Sequence, residues 1–89
     1  MNTFKLTVST PAGNRFGGEA QALFVRGTEG DLAVLADHAP LVTAVKDCAC
    51  RIVDGDGDEI SADIKGGLLN VAEGGDTILM TTSFGSRRY

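Results

Sequence analysis

Hydrophobic and polar residues alternate along most of the chain. Phe4, Leu6 and Val8 are interleaved with Lys5, Thr7 and Ser9, the period of two that a strand shows when one face is buried. Residues 11–14, with Pro11 and Gly13, turn the chain. Residues 20–26 are nearly all apolar and too few for a buried helix, which predicts a strand covered on both faces, and residues 27–30 close it. A further short strand is predicted over 32–35. It ends at Asp37, His38 and Pro40, since proline brings no backbone donor to a ladder. The pattern resumes over 42–45. Cys48, Cys50 and Ile52 share one face, the aspartate-glycine string 54–58 makes a hairpin connection, and Ile60, Ala62 and Ile64 alternate with Ser61, Asp63 and Lys65. Gly66 and Gly67 interrupt, residues 68–72 restore the pattern, residues 73–76 turn again, and a last strand is predicted over 77–82. The final residues, 85–89, read as a loose polar end. No segment has helical periodicity, and turn signals recur every eight to twelve residues or so, which predicts an all-β sandwich or barrel.

Size and charge narrow the function. The 89 residues make one domain with a modest core and no room for a buried catalytic chamber beside it. A composition of 43% hydrophobic and 22% charged residues is that of an ordinary globular protein. The net charge of -4 argues against nucleic acid, because displacing counterions from phosphate takes a basic face. The chain enters its first alternation at once, with no charged head and apolar stretch of a secretory signal, so a cytoplasmic setting is expected.

Each chemically suggestive group has a plain structural reading beside it. The two cysteines, Cys48 and Cys50, lie two apart on one strand face, where a disulfide would be strained. With His38 they fall short of the four ligands of a structural metal site, so both are expected to be small buried or half-buried residues. Asp54, Asp56 and Asp58 imitate the opening of a calcium loop. The sixth position is then Glu59 instead of glycine and the twelfth is Lys65 instead of glutamate, so a solvated hairpin tip is expected. His38 beside Asp37 and near Asp31 has the makings of a base with an orienting carboxylate, but no nucleophile motif accompanies it. The pairs Gly17-Gly18, Gly66-Gly67 and Gly74-Gly75 lack the lysine and hydroxyl residue of a phosphate loop.

Glu29-Gly30, a following apolar strand, and then His38, Pro40 and Leu41 resemble the epsilon subunit of the rotary F-type ATP synthase. The likeness extends to residues 4–8, Gly18-Glu19, Arg51-Ile52, and Gly66, Gly67, Leu68, Leu69 and Val71, running from about Phe4 to Met80. It implies a single β-sandwich of about ten short strands in two sheets, over residues 4–82, with a polar carboxy-terminal tail over 83–89. It also implies a non-catalytic subunit of the central stalk, which joins gamma to the membrane rotor ring so that ion-driven rotation becomes torque at the nucleotide-processing head. Such a subunit lies on the cytoplasmic side of the inner (plasma) membrane as a peripheral part of the complex, with no nucleic acid partner, no direct membrane insertion and no cofactor.

Carried over position by position, the resemblance puts Glu29, Gly30 and Asp31 against the rotor ring's polar loops and Thr10, His38, Val42 and Thr43 toward gamma. Two departures bear on these contacts. Ala36-Asp37 replaces the Pro-Gly usual before the histidine, adding a negative charge, and Cys48 replaces a usual glycine. Members usually carry a carboxy-terminal helical hairpin that can inhibit ATP hydrolysis and in some binds ATP. This chain stops at Tyr89, where that hairpin would begin, so neither hairpin-type inhibition nor nucleotide binding is expected of it. The alternative expectation is a free-standing sandwich that binds a small ligand or metal through the His38 region.

Overall fold

Period-two burial sets the architecture. In the computed structural model, which describes residues 2–87, Phe4, Leu6 and Val8 are buried while Lys5 is exposed. The strands are β1 (Phe4–Thr10), β2 (Gly13–Gly27), β3 (Gly30–Leu35), β4 (Leu41–Val45), β5 (Cys48–Asp54), β6 (Glu59–Ile64), β7 (Gly67–Val71), β8 (Thr77–Met80) and β9 (Phe84–Arg87). The pairing is antiparallel throughout except between β1 and β8, which run parallel.

β2 serves two layers. Its first half pairs with β1, from Thr10 opposite Gly13 to Phe4 opposite Ala20. Its second half pairs with β3 on one edge and β5 on the other. The register slips between Ala20 and Ala22, an irregularity that bends a strand and increases its twist. Two sheets result, one in the order β3-β2-β5-β6-β9 and the other in the order β2-β1-β8-β7-β4. They are joined again where Gly27 pairs with Val45 and the Lys46 N–H donates to the Arg26 carbonyl at 2.9 Å. Counting β2 in both layers, nine strands supply ten strand segments, which is the sandwich expected from the sequence.

The core fills the space between the layers. Leu6, Val8, Leu69, Val71 and Leu79 from one sheet meet Leu23, Val34, Cys50, Ile52 and Ile64 from the other. Each fully buried aliphatic side chain contributes about 1.5–3 kcal/mol relative to an exposed one. The buried Thr77 hydroxyl donates to the Gly75 carbonyl at 2.9 Å, so the core keeps its polar edge satisfied.

Two expectations need correction. The strand predicted over 20–26 begins earlier: β2 starts at Gly13, inside the turn read over 11–14, and Gly17 and Gly18 lie within it, opposite Thr7 and Leu6. Backbone ladder bonds hold this half, and a ladder leaves no hydrophobic trace in glycine-rich sequence. The segment read as a loose end contains β9, which pairs with β6 from Phe84 opposite Ile64 to Arg87 opposite Ser61. Phe84 packs against the core, and that contact anchors the strand. Residues 88–89 lie outside the described residues.

Candidate functional site

The outer face of the β4, β7, β8 layer is apolar. Register aligns Val42 with Asn70 and Asn70 with Ile78, and in the next outward row Ala44 with Leu68 and Leu68 with Met80. Val42 is 63% exposed, Ile78 and Met80 are each 43% exposed, and Leu68 is 40% exposed. Their strand neighbours Leu69, Val71 and Leu79 point the other way and are buried. Exposed apolar side chains gathered on one face around Asn70 make it a candidate contact surface. Leu68, Ile78 and Met80 were not expected as contact residues from the sequence. The available signal was apolar residues in both phases of the alternation, Leu68 with Leu69 and Ile78, Leu79 and Met80 in a row.

Of the residues expected toward gamma, Val42 alone lies on this face. Thr43 has the opposite parity, in the row of Leu69, Leu79 and Val8; it is half-buried, and its hydroxyl donates to the Ala44 carbonyl at 3.3 Å. Thr10 closes the β1–β2 turn, its hydroxyl donating to the Gly13 carbonyl at 2.9 Å and accepting from the Ala12 N–H at 3.2 Å. β8 and β7 separate it from β4, which at about 4.8 Å per strand is on the order of 14 Å. His38 sits in the turn before β4, half-buried, with Nδ1 2.6 Å from the Ala39 carbonyl. That oxygen accepts the Nδ1 proton and fixes the ring's tautomer. The imidazole is thus tied to backbone and makes no hydrogen bond with Asp37 or Asp31, which leaves the base-and-carboxylate arrangement unformed.

The acidic tip lies elsewhere. Thr28 and Glu29 form the two-residue end of the β2–β3 hairpin, flanked by the Gly27–Gly30 pair. Gly30 has φ of +126°, a conformation open chiefly to glycine. Glu29, Gly30 and Asp31 are all exposed. Asp31 faces Arg26 across the ladder and pairs with its Nε at 3.1 Å, with side chains 83% and 60% exposed. The tip therefore presents two carboxylates against one guanidinium, and Glu29 carries the uncompensated charge.

The remaining polar groups resolve into structural roles. Asp54 Oδ1 accepts from the Asp56 and Asp58 N–H groups at 2.9 and 3.0 Å, so its carboxylate caps the hairpin instead of opening toward a cation. Among the described residues no three of His, Cys, Asp and Glu gather as metal ligands would. Cys50 is buried and Cys48 half-buried, both free. Burial, with a smaller contribution from Cys48, pushes the Cys50 thiol from 9.0 up to about 12, which keeps it protonated and unreactive. A shallow groove along β2, β3, β5 and β6 holds Phe24, Arg26, Asp31, Cys48, Arg51 and Ser61. Arg51 stacks over the Phe24 ring at 4.3 Å and pairs with Glu59 at 3.4 Å, so both arginines of the groove are already engaged.

Comparison with known proteins covers nearly all of these elements. A family model for the ATP synthase delta/epsilon chain β-sandwich domain matches residues 3–84. Among solved structures, a chain of the Euglena gracilis mitochondrial ATP synthase, imaged as its OSCP/F1/c-ring assembly, superposes with a TM-score of 0.89 at 21% identity. That match covers 97% of this chain and 54% of the other. A chain of the Tetrahymena thermophila mitochondrial ATP synthase central stalk and c-ring superposes with a TM-score of 0.76 at 13% identity, covering 91% and 64%. The chain thus spans between half and two thirds of the length of these structural relatives.

Proposed function

The chain belongs to the ATP synthase delta/epsilon chain family through its β-sandwich domain, and from that membership we propose that it is a non-catalytic subunit of the synthase's central stalk. In this reading it grips gamma with one surface and rests on the membrane rotor ring with another, passing ion-driven rotation to the nucleotide-processing head. It is peripheral to the membrane, on the cytoplasmic side. Among the described residues no helix is long and apolar enough to cross a membrane.

The observation that carries the proposal is the exposed apolar face of β4, β7 and β8. An isolated domain gains nothing from four large apolar side chains in water, whereas a stalk subunit covers them permanently against its neighbour. Val42 belongs to this face, and Leu68, Ile78 and Met80 extend it beyond the contacts inferred from the sequence. The acidic tip supports the second contact. Glu29 and Asp31 would register on basic and polar loops of the ring, steering and orienting more than binding.

Titration of purified gamma against this chain tests the reading: a complex at micromolar concentrations is expected, and none would overturn it. The ring contact is tested by Asp31→Lys, which is expected to weaken coupling to the rotor ring while leaving the sandwich folded. Losing the exposed Arg26 pair costs at most about 1 kcal/mol, so a large fall in melting temperature would show Asp31 to be structural.

A further inference from the structure

Sheet edges present unpaired N–H and C=O groups, and folded proteins blunt them with charges, short strands, proline or bulges. The edges here are blunted unequally. β9 has four residues. The first half of β2 carries Arg15 and Glu19, and β4, which meets β2 only where Gly27 faces Val45, is entered from Pro40. β3 differs: among the described strands it is bound to β2 alone. Residues 32–35, Leu, Ala, Val and Leu, hold no charge and no proline, their ladder with β2 runs without a bulge, and Leu35 is 53% exposed. Acidic groups flank the segment, Glu29 and Asp31 on one side and Asp37 on the other, and the nearby Arg26 is already committed to Asp31.

We propose that the free edge of β3 accepts an extended segment of a partner polypeptide, apolar at alternate central positions and basic at its ends, as an added strand. Its backbone pairs with the open groups of β3, the Leu35 carbonyl excepted, which already accepts from the His38 N–H at 3.0 Å. Its side chains extend the inward row of Leu32 and Val34 and the outward row of Ala33 and Leu35, and its terminal cations meet Glu29, Asp31 and Asp37. This edge is separate from the β4, β7, β8 face, so the proposal stands or falls independently of gamma binding; it shares Glu29 and Asp31 with the proposed ring contact, and a peptide assay without the ring reads the edge alone.

The test uses the whole 89-residue chain, isotope-labelled for residue-resolved amide exchange, and a seven-residue peptide of alternating valine and threonine with lysine at both ends. Slowed exchange within residues 31–35 on adding the peptide is expected. The same peptide ended in glutamate should bind about tenfold more weakly. Joint Ala33→Lys and Leu35→Lys substitution, which places charge on the edge, should lower affinity about tenfold or more. No slowing at millimolar peptide, equal slowing along β9, or equal binding of the two peptides to the unsubstituted chain would overturn the proposal. So would protection that rises with chain concentration alone, which would assign the edge to a second copy.

Discussion

Cys50 shows how far burial alone can carry a residue. Its thiol is held protonated by desolvation, first of all, and then by Cys48. Because the folded state raises this pKa, the associated stability is fully present below pH 9.0 and is lost as the pH climbs toward about 12. Denaturant unfolding across that window should show a steeper decline for the natural chain than for Cys50→Ala. Alkylation of the native protein should modify Cys48 well before Cys50. Gly67 is constrained by space. Its φ is +140°, and a Cβ built there would fall inside the Met80 carbonyl group. Gly67→Ala should therefore destabilise by at least about 3 kcal/mol in chemical denaturation, in the range reserved for backbone clash and strain. The sequence marked Gly66 and Gly67 as an interruption; the close approach of β8 explains why the second cannot carry a side chain.

At the scale of elements, the legible strands were those whose burial is one-sided and whose ends are punctuated. β1 and β6 announce themselves through clean alternation, and the 54–58 connection through aspartate and glycine. β9 lacked both signals. Among the described side chains of β9, Phe84 packs against the core, so Phe84→Ala should cost about 2 kcal/mol, part of the value for a fully buried aromatic. Faster amide exchange along β9 and along the edge of β6 that it covers should accompany that loss. Unchanged exchange there would show that the ladder with β6 suffices without the anchor. The first half of β2 was hidden for a related reason: paired to β1 by backbone and rich in glycine, it offers just Phe16 and Ala20 as inward apolar side chains, too few to show a period.

For the whole molecule, the exposed apolar face is a property of the layers and belongs to no single segment. Val42, Leu68, Ile78 and Met80 come from three strands and meet through the register of β4, β7 and β8. Joint Ile78→Asp and Met80→Asp substitution should weaken gamma binding about a hundredfold or more, as loss of a central apolar cluster does. The folding free energy should change by about 1 kcal/mol per site, the span of strand propensity, because both side chains are only 43% exposed in the free chain. A loss of melting temperature matching the loss of binding would reassign the two residues to the fold. The sequence by itself determined the all-β class, most strand and turn positions and the family likeness, because alternation and turn chemistry act over a few neighbouring residues. Tertiary structure alone decided which phase of the doubly apolar strands faces outward, that Val42 and Thr43 serve opposite faces, and that β2 divides between two sheets. Burial depends on what the opposite layer and the neighbouring strand supply, and a local pattern that is apolar in both phases fits either orientation equally well.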